Sequence, residues 1–213
     1  MLAVSLDGRL APPQGGAAQL GGVGDRRVLE EALAWADGVL IGAETLRRHG
    51  TTCLIHAPDL LAQRRAQGRG DQPHALVLSR SGQLPPQLSF WRQPLQRWWL
   101  APREAATSAA TSAVVGFDRQ LAFGSWRGLR RQLADEGLSR LLLLGGADLA
   151  SQLLAAELVD ELQLTLCPML LGGTHTWCLP TVALDPGRWQ LVEQRRLVGD
   201  ELLLRYRREP PKR

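Results

Sequence analysis

The chain is almost without lysine. Lys212 is the only one, so nearly all of the 25 basic residues are arginine. It has three cysteines (Cys53, Cys167, Cys178) and no C-x-x-C pair. Neither a disulfide framework nor a zinc ribbon is indicated, and a reducing compartment fits. No run of about 18 apolar residues occurs, so no membrane-spanning helix is expected. The opening MLAVSLDGRLAPP puts no basic region ahead of a long apolar stretch. A secretory signal is therefore not expected, and the cytoplasm is the default location. No H-x-E accompanies a P-C-x-x-C, so a zinc deaminase is not expected either. Internal repeats and an interdomain linker are lacking. The first strand opens almost at residue 1, which leaves a native start upstream of Met1 open.

What is present reads as an ordinary globular chain: 213 residues, 45% hydrophobic and 22% charged. A sequence pI near 9.6 invites a nucleic-acid reading. The net charge is only +4, however, and the arginines are dispersed in pairs at Arg26-Arg27, Arg47-Arg48, Arg64-Arg65, Arg130-Arg131, Arg195-Arg196 and Arg207-Arg208. A nucleic-acid patch would be clustered and interleaved with aromatics. The expectation is an arginine-rich surface and no nucleic-acid partner.

Along the chain, Leu2 to Leu6 reads as a buried strand and residues 11–24 as a Gly-, Pro- and Ala-rich loop. Val28, Leu29, Ala32, Leu33 and Ala36 recur at helical spacing behind Asp25, a plausible N-cap. Gly38–Gly42 reads as a strand and Ala43–Arg48 as a helix. Residues 57–73 read as a charged surface excursion. Strands are expected at His74–Ser79, Arg97–Ala101 and Ala113–Gly116, with a loop over Ser81–Pro94. Ser125–Glu136 reads as an amphipathic helix closed by Gly137. Leu141–Leu144 reads as a strand, Ala147–Glu157 as a helix and Glu161–Leu171 as a strand. Trp189–Leu197 and Glu201–Arg207 flank Gly199-Asp200 as a hairpin. Alternating strands and helices ending in a hairpin give an α/β fold with a mixed, mainly parallel sheet flanked by helices. A single domain over 1–208 is expected, with a frayed tail at 209–213.

The most informative segment is the four-leucine strand that gives way to Gly145-Gly146 and then to a helix. Glycines let the backbone approach a ligand closely, and the unpaired N–H groups of a helix start point at phosphate. With Leu158-Val-Asp160-Glu161-Leu162 and Pro168…Leu171-Gly172-Gly173 downstream, the pattern points to a nucleotide-cofactor enzyme.

Four segments in order carry a resemblance: Ala3-Val-Ser5-Leu6-Asp7-Gly8-Arg9, Asp37-Gly-Val-Leu-Ile-Gly42-Ala-Glu-Thr45, the Gly145-Gly146 turn, and the 158–173 segment. Together the chain resembles the riboflavin-biosynthesis reductases, the C-terminal half of RibD-type proteins, which share the dihydrofolate-reductase-like fold. The resemblance implies NADPH as cofactor and hydride transfer to the sugar C1′ of 5-amino-6-(5-phosphoribosylamino)uracil. It also implies a homodimer. Thr45, Gly146, Ala147, Asp148 and Leu149 would contact NADPH, Gly145 would admit the backbone, and Ala3 would lie against the nicotinamide. Ser5 and Arg48 are the candidate substrate contacts.

Several family positions are altered. Leu33 replaces an arginine, Leu144 a glutamate and Leu20 a tryptophan. His49-Gly50-Thr51 replaces the acidic "D-[ND]-P" run, and His56 replaces the basic residue after it. The substrate half is thus rewritten. This keeps open a divergent reductase of another pterin- or pyrimidine-like substrate, or a non-catalytic nucleotide-binding homologue. His49 as a cleft residue, or Asp7, would supply the proton; a turn-capping role for Asp7 is the alternative. His49, Cys53 and His56, with His175 and Cys178, have ligand-like spacing, but no metal is expected. Trp91, Trp98 and Trp99 are read as a core strand or dimer seam rather than a base-stacking groove. The strand from Leu162 is read as interior or buried between subunits.

Overall fold

The computed structural model describes residues 1–16, 20–104, 116–184 and 186–209. They divide into two compact units, Met1–Leu29 with Gly145–Arg213, and Glu30–Leu144.

The unit Glu30–Leu144 is organised by a parallel five-stranded sheet in the order β5-β4-β3-β2-β6. Its strands are β2 (Gly38–Gly42), β3 (His74–Leu78), β4 (Arg97–Pro102), β5 (Arg119–Phe123) and β6 (Leu141–Leu143). GVLIG, HALVL and RWWLAP are nearly continuous apolar runs, as strands covered on both faces require. Leu76, Val77, Trp99, Leu100 and Ala101 are each no more than marginally accessible. Trp98 and Trp99 are therefore core-strand residues, and the Trp99 indole N–H is spent on the Ser79 carbonyl at 2.8 Å. Trp91 sits in a short 3₁₀ turn (Ser89–Arg92) and donates to Pro85 O at 2.9 Å.

Three local expectations change here. The 57–73 excursion contains α3 (Pro58–Ala66), started by Pro58 in the first turn. Its N-terminal side is closed by buried Glu30, whose Oε2 accepts from His56 N and Ala57 N at 2.8 Å each. Arg64 is not surface but 2% exposed. The strand expected at Ala113–Gly116 lies, except for Gly116, outside the described residues; the described strand is β5, in which only Phe123 is buried. Helix α4 (Trp126–Asp135) forms as read. Ser125 Oγ accepts from Gly128 N, and Leu138 N and Gly137 N return to the Leu133 and Ala134 carbonyls in a Schellman closure.

The other unit carries the sheet β1-β7-β9-β8: β1 (Leu2–Ser5), β7 (Glu161–Cys167), β8 (Trp189–Arg196) and β9 (Leu202–Arg208). β1 pairs with β7 in parallel, while β7–β9 and the β8–β9 hairpin are antiparallel. The mixed, mainly parallel α/β arrangement with a C-terminal hairpin is thus observed. β7 ends at Cys167 instead of Leu171, because Leu170 is 74% exposed and the chain turns away. Helix α5 spans Ala147–Ala155.

Helix α1 (Val23–Trp35) begins two residues before the expected N-cap Asp25. Asp25 lies inside the first turn. The capping acceptor comes from far along the chain: buried Glu201 takes Gly22 N at 2.5 Å and Asp25 N at 2.9 Å. A carboxylate there satisfies orphan donors and meets the positive end of the helix.

Candidate active site

In the parallel sheet of Glu30–Leu144, β2 and β6 are neighbours. The chain leaves their carboxyl ends on the same edge, at Gly42 into α2 (Ala43–His49) and at Leu144 toward the Gly pair. Carboxyl ends of parallel strands are where α/β folds bind ligands. Thr45 stands in the first turn of α2, partly buried. Arg48 and Arg47 are exposed and share Glu44, at 3.2 and 3.5 Å. Such pairs are worth little in water, so Arg48 is free to swing to another anion. His49 closes α2 and is exposed, as are Cys53 and His56. No metal-holding group of three His, Cys, Asp or Glu side chains occurs among the described residues.

Leu33 is fully buried. An apolar side chain at that position belongs to the core and cannot grip a phosphate. The arginines nearby do other work. Arg64 donates to the Gly70, Leu33, Ala34 and Ala36 carbonyls, and Arg69 to Ala34, Trp35 and Ala36, closing the C-terminal end of α1. Burial pulls the Arg64 guanidinium down to about 10, still cationic at neutral pH. These residues, with Asp37, His74 and Gln96, line a cleft of about 440 Å³ at the amino ends of β2, β3 and β4. It lies on the edge opposite Thr45, and its arginines are committed to carbonyls.

In the other unit, Gly145 and Gly146 take φ values of +65° and +85°, a region that favours glycine. A Cβ on Gly145 would meet no heavy atom within 4 Å, so the turn presents an open face. Gly146 caps α5 without a side-chain bond, and the first internal return is Ala150 N to Gly146 O. Ala147, Asp148 and Leu149 therefore supply the orphan N–H groups of a helix start. Asp148 is exposed and accepts from Gln152 at 2.9 Å, while Leu149 is buried beneath the turn. The open glycine face and the three donors fit a pyrophosphate.

On β1, Ala3 is partly exposed and pairs in register with Thr165, and Ser5 pairs with Cys167. Ser5 is buried, and its hydroxyl is occupied: it donates to Asp7 Oδ1 at 2.5 Å and accepts from Arg9 N at 2.9 Å. Asp7 also accepts from Leu171 N and Gly172 N at 3.1 and 2.8 Å. The Ser5 hydroxyl, aided by those backbone donors, holds the Asp7 carboxyl down at about 2. An acid of that strength is ionised at neutral pH and is not a proton donor. Asp7 is a latch between the end of β1 and the 171–172 loop, the kind of turn-closing role given above as the alternative to an acid.

Asp25 is the residue that sequence reasoning misplaced. Its Oδ2 packs over Gly21, where a Cβ would sit 2.0 Å away, so only glycine fits. Its Oδ1 is buried without a hydrogen bond, and the fully buried Thr165 hydroxyl lies beside the carboxyl. Burial first, then the negative charge of Glu201, push the Asp25 carboxyl above its usual value, against a downward pull from Thr165. The available sequence signal was the glycine pair Gly21-Gly22 immediately before it.

With the fold and turn described, comparison places the chain in a family. Residues 1–202 match the RibD C-terminal domain, and the chain belongs to that family. It is 28% identical over 180 residues to the 2,5-diamino-6-ribosylamino-4(3H)-pyrimidinone 5′-phosphate reductase of Methanothermobacter thermautotrophicus, covering 80% of this chain and 77% of the relative. Among solved structures, a pyrimidine reductase-like protein of Corynebacterium diphtheriae superposes with a TM-score of 0.82 at 20% identity, covering 98% of this chain and 90% of that one. A dihydrofolate reductase of Enterococcus faecalis, solved with NADP(H), superposes at 0.54 with 13% identity, covering 98% and 94%. The fold is dihydrofolate-reductase-like.

Proposed function

We propose that the chain is an NADPH-dependent reductase of riboflavin biosynthesis. It acts on a ribosylaminopyrimidine phosphate of the 5-amino-6-(5-phosphoribosylamino)uracil type. The observation that carries this reading is the Gly145-Gly146 turn, whose open face and helix N–H groups suit a dinucleotide pyrophosphate. Family membership and the reductase names of the relatives support it. The dihydrofolate reductase of the same fold, solved with NADP(H), supports the choice of cofactor.

When bound, NADPH would supply a hydride for the sugar C1′ of the ring-opened imine. The chain's own residues hold and orient. Ala147, Asp148 and Leu149 offer backbone donors to phosphate, and Gly145 keeps the approach clear. Ala3 is small enough to let a flat ring lie against β1. Thr45 is assigned to the cofactor and Arg48 to the substrate phosphate by resemblance. The buried Leu33 and the apolar Leu144 favour a second reading, a reductase of a related pyrimidine or pterin. The single domain over 1–208, a cytoplasmic location and a homodimer complete the proposal. The exposed Leu6, Met169 and Leu170 offer apolar surface for a second copy.

Calorimetry with NADPH tests the cofactor. NADPH absorbance followed with the phosphoribosylaminouracil and with its diaminopyrimidinone counterpart tests the substrate. Binding of neither reduced nicotinamide coenzyme by folded protein refutes the enzyme reading; binding without oxidation refutes these substrates. Sedimentation gives the subunit number.

A further inference from the structure

We infer that Asp25 is the proton donor of this reductase, delivering its proton to the substrate nitrogen from beside Ala3 and Thr165. The inference rests on the reductase reading above and supplies what that reading lacks, since Asp7 is latched as a carboxylate and His49 is exposed.

The geometry begins with register. Ala3 and Thr165 are paired on adjacent parallel strands, so their side chains leave the sheet on the same face. Thr165 is fully buried and its hydroxyl faces the Asp25 carboxyl, whose Oδ1 is buried without another partner. Asp25 thus stands over the face of β1 and β7 that carries Ala3. A buried carboxyl oxygen without a further partner costs free energy unless a ligand completes it. A substrate nitrogen and its neighbouring hydroxyl are groups of the right kind. The carboxyl is not sealed in: Asp25 is half-buried and Gly21 beside it is exposed, so water can return the proton.

The charged and titratable groups around it are few. Glu201, buried at the mouth of the β8–β9 hairpin, repels a second negative charge. The Met1 amino group, just ahead of β1, pulls the other way. Cys167 on β7 is a thiol pushed up to about 11 by burial and by these same acids, so it stays neutral. Burial and Glu201 dominate, and they favour the protonated carboxyl.

The step balances. With NADPH bound, C1′ would receive the hydride and the nicotinamide would be left oxidised. The π pair of the C=N bond moves to nitrogen and takes up the proton as the Asp25 O–H bond breaks. The carboxylate left behind is reprotonated by water. General acids of this sort contribute about 10²- to 10⁴-fold in rate.

The test uses the full chain and the variants Asp25→Asn and Asp25→Ser. A carboxyl titration followed by ¹³C NMR, with Asp25→Asn to assign the signal, needs neither cofactor nor substrate. Asp25 should titrate above the ordinary value of 3.8; titration at or below it overturns the inference. Because the folded-state value is raised, ionised Asp25 lowers stability as pH rises through that value. Asp25→Asn should therefore melt no lower than wild type at pH 7, whereas a purely structural aspartate would make it melt lower, and that would overturn the inference too. NADPH affinity should change less than about threefold. Turnover should fall at least about a hundredfold, and the loss of kcat/KM with rising pH should vanish. Retention of more than about a tenth of turnover, or persistence of that limb, overturns the inference. A wild type that binds NADPH but reduces neither pyrimidine overturns the substrate reading, and the titration and melting still decide Asp25.

Discussion

Asp37 stands one residue ahead of β2, where the structure makes it a knot. Its Oδ2 accepts from Ser139 N at 3.2 Å and Arg140 N at 2.8 Å, and its Oδ1 from Arg140 Nη2 at 2.8 Å and Arg69 Nη2 at 3.0 Å. The carboxylate ties the start of β2 to the start of β6 and steadies the arginine that closes α1. Its side chain is 14% exposed, so these bonds are little diluted by water. Asp37→Ala strands two backbone N–H groups and Arg69. A hydrogen bond to a charged group contributes about 1.5–3 kcal/mol. The Arg140 guanidinium is 41% exposed and recovers most of its loss by hydration. The sum is about 3 kcal/mol, and roughly 6–12 °C in Tm for a chain of this length. Asp37→Asn, keeping one acceptor, should lose about half of that. Burial pushes this carboxyl up, but the Arg140 hydrogen bonds and the charges of Arg140 and Arg69 outweigh it, and the net shift is down. Its stabilisation is therefore complete above 3.8 and lost as pH falls through the lower folded value. Thermal and urea unfolding by circular dichroism, at pH 7 and pH 3, measure both effects. A fall in Tm of less than about 2 °C at pH 7 in Asp37→Ala refutes the account.

Gly145→Ala should cost the free protein only backbone strain of about 1–2 kcal/mol, since the new methyl meets no protein atom, yet weaken NADPH at least about tenfold; unchanged affinity by calorimetry would remove the cofactor from that turn. Asp7→Asn should lower Tm at pH 7, with the difference from wild type disappearing as pH falls from 3.8 toward about 2, because the folded value is depressed. A difference that persists at pH 2 would contradict the latch. Arg64→Met should fold with Tm lower by roughly 6–12 °C, reflecting about 3 kcal/mol for carbonyls left unpaired at the end of α1; an unchanged Tm would show that Arg69 alone closes the helix.

The elements that the sequence announced are those whose cause is local. The Gly145-Gly146 turn, the Ser125 cap, the Gly137 closure and the hairpin at Gly199-Asp200 each need particular residues within one turn of chain, so the pattern is visible without a partner. Runs such as Leu141–Leu143 and Trp98–Leu100 likewise declare strands covered on both faces. Arg64 shows the limit. Beside Arg65 in a charged stretch it looks like surface, and only carbonyls more than 25 residues away make it core. β5 was missed because its register comes from β4 and not from its own pattern.

By itself, then, the sequence determined the α/β alternation, the glycine turn suited to a phosphate and the family, because periodicity and turn chemistry act between near neighbours. The tertiary structure alone decided what each acid does. Asp7 gains donors from residues 171 and 172 and stays ionised. Asp37 is locked by Arg69 and Arg140. Asp25 loses water and gains Glu201 as a neighbour, and both push its carboxyl above the usual value. A carboxyl's ionisation depends on what surrounds it in space, and those surroundings come from residues up to 176 positions away.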